Sequence, residues 1–350
     1  MNELQTILSD SVNGLLSDRV NKQLIQKAEE GVFPSALWGE LEANGLTRVL
    51  VPEDQGGAGA TWADAAIVLK AAGEHAAPLP LAECILANWF LAEAGLDAPE
   101  GVTTLLDGEF TLVGGKLSGE AKLVPYGRDA THGVAIVKGE VVRVALSGAK
   151  IAPGLNVARE PRDHVVLKDA DAISAKASLP GDAMRLYGAL VRACQMAGAL
   201  SYLSAQTVAY ANERTQFGKP IGKFQAVQQQ LAVLSTQAAA CGVITDFACA
   251  QVVKRGADAA FEIAAAKIRV DDASSIATSI AHQVHGAIGF TYEHGLHFAT
   301  RRLWSWRGGG GGGGGGGGPG SSPPPAVSPP PYPPPPPRHK ATADNAIKFV

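Results

Sequence analysis

The sequence predicts a protein of the α+β class that is mostly helical and has one small antiparallel β-domain. Three observations support this. Apolar residues recur at helical spacing up to about residue 92, short β-branched runs follow to about 178, and long alanine-rich helical patterns continue to 307. We therefore expect an N-terminal helical domain (1–92), a reduced β-domain (93–178), a C-terminal helical bundle (179–307) and a disordered Gly/Pro-rich tail (308–350).

The N-terminal domain is predicted as helices interrupted by one loop. The loop is residues 51–59, Val-Pro-Glu-Asp-Gln-Gly-Gly-Ala-Gly, and Thr61 with Asp64 three residues later is typical of a helix start. The glycines of this loop lack GxGxxG spacing and follow a helix rather than a strand. We therefore favour a tight turn over a nucleotide-binding loop.

The middle of the chain changes to β-strand patterning. Short runs rich in valine and isoleucine occupy 110–113, 133–137, 140–144 and 164–167, with turns containing Gly, Asp and Lys between them. Beyond it, Phe224 to Gly256 is predicted as one long helix with a continuous apolar stripe, and a second helix ends near Gly286. Long helices of this kind pack closely in bundles.

Composition excludes several classes of protein. The chain is 46% apolar and 18% charged, with 30 basic against 33 acidic residues and no basic block, so the footprint of a nucleic-acid-binding protein is missing. We find neither an apolar run of about 18 residues, which a membrane span needs, nor a secretory signal. The four cysteines form no CxxC pair. We expect a cytoplasmic protein without a membrane span.

Two HxxH pairs, His282/His285 and His294/His297, raise the question of a metal site. Imidazole is a common zinc ligand, and residues three apart share a helix face. The intervening glycines interrupt the helix, and Glu293 is the only obvious carboxylate nearby. We favour ordinary polar or cofactor-contacting histidines and predict no metal.

Residues 210–225 form the most suggestive connection between helices. An arginine, Arg214, is followed by an aromatic, Phe217, and the chain turns at Gly218 and Pro220. A guanidinium suits a phosphate or pyrophosphate, and an aromatic suits a flat ring. On these residues alone, a plain connecting loop remains the favoured interpretation.

The same stretch resembles the signature of the acyl-CoA dehydrogenase family. It contains Arg-x-x-Phe-Gly-Lys-x-Ile-x-x-x-Gln from Arg214 to Gln225. The loop at 51–57 resembles the family's N-terminal loop, and residues 283–291, followed by Arg301-Arg302, resemble its C-terminal motif. The helix–β–helix order is also that of the family, and the resemblance extends over roughly residues 30 to 307.

The resemblance implies a flavin enzyme, an acyl-CoA dehydrogenase that desaturates an acyl-CoA thioester between its α and β carbons. It implies FAD at a subunit interface, an electron-transfer flavoprotein as acceptor and a homo- or hetero-oligomer. The segment from Gln283 to Ala287 would come from a neighbouring subunit. The implied FAD contacts are Arg214, Thr215, Gln216, Phe217, Phe224, Gln225, Gln283, Val284, His285, Gly286 and Ala287.

The sequence also departs from the family. No Thr-Glu-Pro…Gly-Ser stretch occurs between Glu93 and Gly119, and the two positions at which the family carries its carboxylate base hold Gly188 and Gly310. Asp182 and Glu213 are nearby acids, but surface or capping roles are favoured for both. The catalytic residue is thus unassigned. Two hypotheses follow: an active dehydrogenase, or a catalytically silent subunit that completes a heteromeric enzyme.

The tail holds 12 of the 41 glycines and 12 of the 22 prolines. Such a sequence has too few apolar residues for a core and is typical of flexible coil and polyproline II. It is interpreted either as a Pro-rich ligand for an SH3-type domain or as a replacement of an ordinary helical ending, for example by a change of reading frame. We favour the replacement.

Overall fold

The computed structural model describes residues 3–286, Gly289 and residues 295–307. The predicted tail, 308–350, lies outside these residues. The N-terminal part is five helices, joined in part by short 3₁₀ turns. They are α1 (Glu3–Arg19), α2 (Lys22–Glu29), α3 (Ser35–Ala43), α4 (Trp62–Glu74) and α5 (Leu81–Glu93).

Helix α4 begins where the sequence predicts a helix start. The Asp64 carboxylate accepts hydrogen bonds from the Thr61 backbone N–H at 2.9 Å and from the Thr61 hydroxyl at 2.6 Å. These bonds and the one that the Thr61 side chain accepts form a capping box, which satisfies backbone donors that the first turn leaves without partners.

A single seven-stranded sheet follows, with strand order β1-β4-β5-β7-β3-β2 and β6 paired to β7. The strands are β1 (Thr103–Leu105), β2 (Gly108–Val113), β3 (Lys116–Pro125), β4 (His132–Val137), β5 (Glu140–Ala145), β6 (Lys150–Ala152) and β7 (Arg162–Lys176). The expectation of an antiparallel sheet is confirmed for all pairs but one. Strand β1 runs parallel to β4, with Thr103 opposite His132. Strands β2 and β3 lie between these two strands along the chain.

The C-terminal part is a helical bundle built around one long central helix. Its elements are α6 (Ala183–Glu213), the two-residue strands β8 (Thr215–Gln216) and β9 (Lys219–Pro220), α7 (Gln225–Arg255), α8 (Ala260–His285) and α9 (Leu296–Arg307). The mostly helical α+β fold class is therefore confirmed over the described residues.

Helices α4 and α6 cross at glycines, which lets their backbones approach closely. A Cβ at Gly198 would lie 1.9 Å from the Lys70 carbonyl oxygen, and one at Gly73 would lie 1.8 Å from that of Gln195. Neither position has room for a side chain. This crossing fastens the N-terminal helices to the bundle in a fixed orientation.

The pair α7 and α8 presents an unusually apolar outer surface. The stretch Gln225–His285 includes an 18-residue window with a mean hydropathy of 1.4, of which 28% is buried, so it could cross a membrane by length and composition alone. This is weak evidence, because core helices of water-soluble bundles meet the same criterion. The predicted absence of a membrane span therefore stays a prediction. The exposed apolar side chains are Val233, Val243, Phe247, Val253, Phe261, Ile268 and Ile276.

Candidate functional site

A short β-hairpin connects α6 to α7 and contains the first half of the predicted cofactor site. Thr215 pairs with Pro220 and Gln216 with Lys219, which leaves Phe217 and Gly218 as the two turn residues. Both have positive φ, 53° and 80°. Positive φ at both central residues is characteristic of a type I′ turn, whose twist matches that of the flanking strands.

The hairpin displays its side chains to solvent. Arg214, Thr215 and Gln216 are exposed, and Phe217 is 92% exposed. Within the described residues the Arg214 guanidinium forms no ion pair. An aromatic side chain in a left-handed backbone conformation costs free energy and here covers no core. Strain of this kind is concentrated at binding sites, so the arrangement favours a recognition element over a plain connection.

The start of α7 adds to the same surface. Phe224 is half-buried directly before the helix, Gln225 is exposed as its first residue, and the Lys219 ammonium lies 4.5 Å from the centre of the Phe224 ring. Phe217 meets that ring edge-on, with centroids 6.2 Å apart and an angle of 90°. The hairpin therefore holds the Phe217 and Phe224 rings and the Lys219 ammonium close together.

The second predicted segment lies at the end of α8. Gln283 is exposed, Val284 and His285 are buried, and Gly286 ends the helix with a φ of 61°. Ala287 lies outside the described residues. His285 Nδ1 lies 2.8 Å from the Ala281 carbonyl oxygen, which holds the imidazole against the helix.

One chain brings both segments together at the same end of the bundle. The His285 ring stacks on Tyr210, with centroids 4.3 Å apart and an interplanar angle of 21°. Val284 belongs to a small apolar cluster with Ala211 and Ile221. The sequence-based expectation places the second segment on a neighbouring subunit. In this structure the described part of that segment, residues 283–286, lies beside the hairpin of its own chain.

The residues present fit the pyrophosphate and adenine half of a dinucleotide. A guanidinium without an internal partner supplies paired donors for phosphate oxygens, and an exposed phenyl ring supplies a stacking surface for a flat base. Two further residues lie at this surface that the sequence-based set of contacts does not include, Lys219 beside Phe224 and Tyr210 against His285. Tyr210 lies one helical turn before Arg214, and this spacing was the available signal for it.

The structure offers no carboxylate suited to act as base at the first family position. Gly188 lies in the interior of α6 and is buried. The second position, Gly310, lies outside the described residues. Asp182 precedes α6 and pairs with Arg185 at 2.7 Å, with both side chains exposed. Glu213 is exposed at the far end of the same helix.

Four carboxylates are buried among the described residues, and each pairs with an arginine: Glu29, Glu83, Glu160 and Asp163. Glu83 accepts a 2.6 Å hydrogen bond from Arg192 Nη2. Glu160 accepts bonds from Arg162 at 3.2 Å and from Trp306 Nε1 at 3.1 Å, and Arg302 lies 3.5 Å away.

These contacts make Glu160 a poor base. Burial alone would raise the pKa of Glu160, but Arg162, Arg302 and Arg192 together hold it below its ordinary value. A general base works best with a pKa near the working pH. Glu83 forms an ion pair with Arg192. Neither Glu83 nor Glu160 is therefore suited to remove a weakly acidic proton.

Three of the four histidines of the two HxxH pairs, His282, His285 and His297, lie among the described residues. The described residues contain no group of three or more His, Cys, Asp or Glu side chains able to hold an ion. His282 Nε2 lies 3.1 Å from the Thr300 hydroxyl, and its ring stacks on Trp304. His294 lies outside the described residues. For the part of the chain that the structure covers, the histidines pack in the bundle.

Family models and a curated relative agree on one protein family. Residues 2–98 match the family model described as acyl-CoA dehydrogenase, N-terminal domain, and residues 186–312 match the one described as acyl-CoA dehydrogenase, C-terminal domain. A curated relative, acyl-CoA dehydrogenase IpdE2 from Mycobacterium tuberculosis, is 28% identical over 303 residues, which are 86% of this chain and 91% of the relative.

Solved structures agree on the fold. The ChsE4-ChsE5 complex from Mycobacterium tuberculosis has a chain with a TM-score of 0.78 and 23% identity, covering 89% of this chain and 94% of that one. Butyryl-CoA dehydrogenase from Megasphaera elsdenii has a TM-score of 0.78 and 16% identity, covering 88% and 94%. At these identities the likeness concerns the fold.

Proposed function

The chain belongs to the acyl-CoA dehydrogenase family, and from that premise we propose that it takes part in the FAD-dependent α,β-desaturation of an acyl-CoA thioester. The observation that carries the proposal is the hairpin, in which Arg214 and Phe217 are exposed and whose flanking residues Ala211 and Ile221 pack with Val284 at the end of α8. The family's chemistry removes a proton from Cα and a hydride from Cβ of the substrate, and FAD when bound accepts the hydride.

We propose that one chain holds the pyrophosphate and adenine half of FAD with two adjacent segments. Arg214 donates to the pyrophosphate, and Phe217 with the Lys219–Phe224 pair covers the adenine side. Residues 283–286 complete the surface from the end of α8. Because Arg214, Thr215, Gln216 and Phe217 of the hairpin face solvent, we propose that a neighbouring subunit covers the flavin ring.

A specific observation favours a second candidate, a silent partner subunit. The family position in α6 holds Gly188, and the buried carboxylates Glu83 and Glu160 are held by arginines. Such a chain binds FAD or a homologous chain, and a base from the other subunit removes the α-proton. A relative of the same fold is described as the ChsE4-ChsE5 complex, which supports an assembly of two different dehydrogenase chains.

We also propose which surface of this chain contacts the second dehydrogenase chain. The outer faces of α7 and α8 expose several large apolar side chains, including Phe247 at 51% and Phe261 at 79%. Burial of apolar area is the main favourable term in stable subunit contacts. An electron-transfer flavoprotein remains the proposed acceptor of the electrons, and the cytoplasm the proposed location.

Flavin titration of Arg214 variants tests the cofactor site. A charge-assisted hydrogen bond contributes about 1.5–3 kcal/mol, so Arg214→Ala should weaken FAD binding by about 10- to 150-fold. Arg214→Lys should recover part of this, since an ammonium offers a point charge rather than a planar fork. Arg19→Ala is the matched control, because this exposed arginine pairs with Glu40 on the N-terminal helices. Equal FAD affinity in all variants would refute the cofactor site.

Turnover separates the two candidates. Acyl-CoA oxidation is measured with an artificial electron acceptor, first with this chain alone and then with a homologous chain that carries a carboxylate base. Activity only in the mixture supports the silent subunit, and activity of the chain alone refutes it. A purified mixture that stays colourless after addition of FAD would argue against both candidates.

A further inference from the structure

Two cysteine thiols contact each other in the interior of the bundle. Cys194 lies on α6 and Cys249 on α7, and both are fully buried. Their Sγ atoms are 3.6 Å apart. Cys194 lies 20 residues before Arg214, which is about 30 Å along the helix at about 1.5 Å per residue. The thiol pair is therefore distinct from the surface that we assign to FAD.

The pairing of α6 with α7 brings the two thiols together. A second contact between the same helices lies nearer the hairpin, where the hydroxyl oxygens of Ser204 and Ser235 are 3.1 Å apart. The alignment of the helices thus has a support that does not involve the cysteines, and the fold holds the two sulfurs side by side in the reduced protein.

The separation of the sulfurs is close to what a disulfide requires. An S–S bond is about 2.05 Å long, so the Sγ atoms of Cys194 and Cys249 need to approach each other by about 0.8 Å each. Rotation about the Cα–Cβ bonds moves a sulfur without moving its helix. The two helices therefore need no rearrangement beyond a local adjustment of these side chains.

Solvent comes within one helical turn of Cys249. Asp246 lies three residues before it on α7, and this carboxylate pairs with Lys70 Nζ on α4 at 2.5 Å, with side chains 65% and 22% exposed. The hydrogen bond with Cys194 and burial raise the pKa of the Cys249 thiol, and the Lys70 ammonium opposes this. The thiolate is the reactive form of a cysteine, so Lys70 favours reaction at Cys249.

We propose that Cys194 and Cys249 are a modification site, which a peroxide converts to a reversible disulfide that fastens α6 to α7. The oxidant has to be small, because neither cysteine is exposed to solvent. In a reducing compartment, such as the proposed cytoplasm, protein disulfides are usually transient and redox-sensing. A dithiol would return the pair to its reduced form.

The reaction is balanced in two steps. The Cys249 thiolate attacks one oxygen of hydrogen peroxide, the O–O bond breaks, and a proton completes the release of water and of a sulfenic acid on Cys249. The Cys194 thiol then attacks the sulfenic sulfur, which forms the S–S bond and releases a second water. Two thiols are oxidised by two electrons in total, and both peroxide oxygens are reduced to water.

The disulfide would change the stability of the bundle. The two cysteines are 55 residues apart along the chain, and the loop between them contains the hairpin and most of α7. A cross-link that closes such a loop restricts the unfolded chain more than the folded one. The oxidised protein should therefore melt at a higher temperature than the reduced protein.

The test treats the folded, full-length chain with hydrogen peroxide. After removal of the oxidant, the remaining thiols are alkylated in urea and the chain is digested without reduction. We expect two of the four cysteines to resist alkylation and the peptide map to join Cys194 to Cys249. The melting temperature should rise by several degrees, and dithiothreitol should reverse both effects.

Cysteine variants separate the cross-link from other oxidation. Cys194→Ala removes one partner, so peroxide should produce neither the joined peptides nor the rise in melting temperature. The double variant Cys84→Ala with Cys241→Ala is the matched control, because it removes two other buried thiols and should retain both effects. Circular dichroism of the reduced variants shows whether they fold, and the peptide map of the parent chain needs no variant.

Three results would overturn the proposal. They are a folded chain whose oxidised peptide map lacks the Cys194–Cys249 pair, a pair that forms only after the chain is unfolded in urea, and a cross-linked chain that melts no higher than the reduced one. Neither FAD affinity nor dehydrogenase turnover enters this test, so its failure is independent of the proposed function.

Discussion

Loss of Arg192 is expected to destabilise the fold more than loss of any exposed arginine. Arg192 Nη2 lies 2.6 Å from Glu83 Oε1, and the two side chains are only 9% and 6% exposed. Arg192 Nη1 also donates a 2.7 Å hydrogen bond to Gln195, and the guanidinium lies 5.3 Å from the ring of Trp306. Arg192→Met removes the positive charge but keeps much of the packing volume.

The magnitude follows from the charge that is left behind. Breaking a buried ion pair by removing one partner costs about 3–5 kcal/mol, because the remaining ion is uncompensated in a poorly polarisable interior. An exposed pair contributes about 0–1 kcal/mol. Arg19 and Glu40 form such a pair, with side chains 55% and 36% exposed, so Arg19→Met is the matched control.

Urea unfolding, followed by circular dichroism, measures both variants against the parent. Arg192→Met should lower the free energy of unfolding by about 3–5 kcal/mol and Arg19→Met by less than about 1 kcal/mol. The double variant Glu83→Gln with Arg192→Met should recover a large part of the loss, since no charge is then buried. A single variant that loses under about 1 kcal/mol, or a double variant as unstable as the single, would refute the reasoning.

Three shorter predictions concern pH, thiols and the hairpin. Burial lowers the pKa of His75 below its ordinary value of 6.5. The unfolded chain therefore takes up a proton at this residue first, and the free energy of unfolding should fall as the pH drops below 6.5. Unfolding curves should show that His75→Gln loses less of this free energy between about pH 7 and pH 5 than the parent does. All four cysteines are buried, and burial raises the thiol pKa of Cys84 to about 12 and that of Cys241 to about 11; Ellman's reagent should therefore label them only after denaturation, and rapid labelling of the native protein would contradict the packing. Phe217→Asn should increase amide-exchange protection in the hairpin while weakening FAD binding, and unchanged FAD affinity would remove Phe217 from the site.

Local patterns predicted those elements whose stability is local. The apolar stripe of α7 repeats every three or four residues, and the structure has that helix from Gln225 to Arg255. The parallel pairing of β1 with β4 was not predictable in this way, because strand direction depends on how the connecting chain returns. The sequence did not predict a β-hairpin here, because Phe217-Gly218 is not the Asn-Gly or Asp-Gly pair that usually marks a type I′ turn.

The buried ion network was outside the reach of sequence reasoning for a related cause. Glu83, Glu160, Arg192 and Arg302 come from α5, the segment before β7, α6 and α9. Glu83 and Arg192 are 109 residues apart, and Arg302 is still farther from Glu160, although Arg162 lies two residues from Glu160. No local spacing distinguishes a charged residue that pairs in the interior from one on a solvated face. The family signature, in contrast, is continuous from Arg214 to Gln225, so the residues of the hairpin could be found without knowledge of the fold.

The conformation of Phe217 connects the fold to the proposed function. Asparagine or glycine would adopt a φ of 53° at lower cost, and a ring that is 92% exposed gains no burial within its own chain. Its edge-on contact with Phe224 leaves most of the ring uncovered, so the fold bears a cost at this position. In the proposed site, a flat cofactor together with a second subunit would cover the ring and supply this stabilisation. A substitution that relieves the strain should accordingly stabilise the isolated chain and weaken its complex, and a purely structural hairpin would show only the first effect.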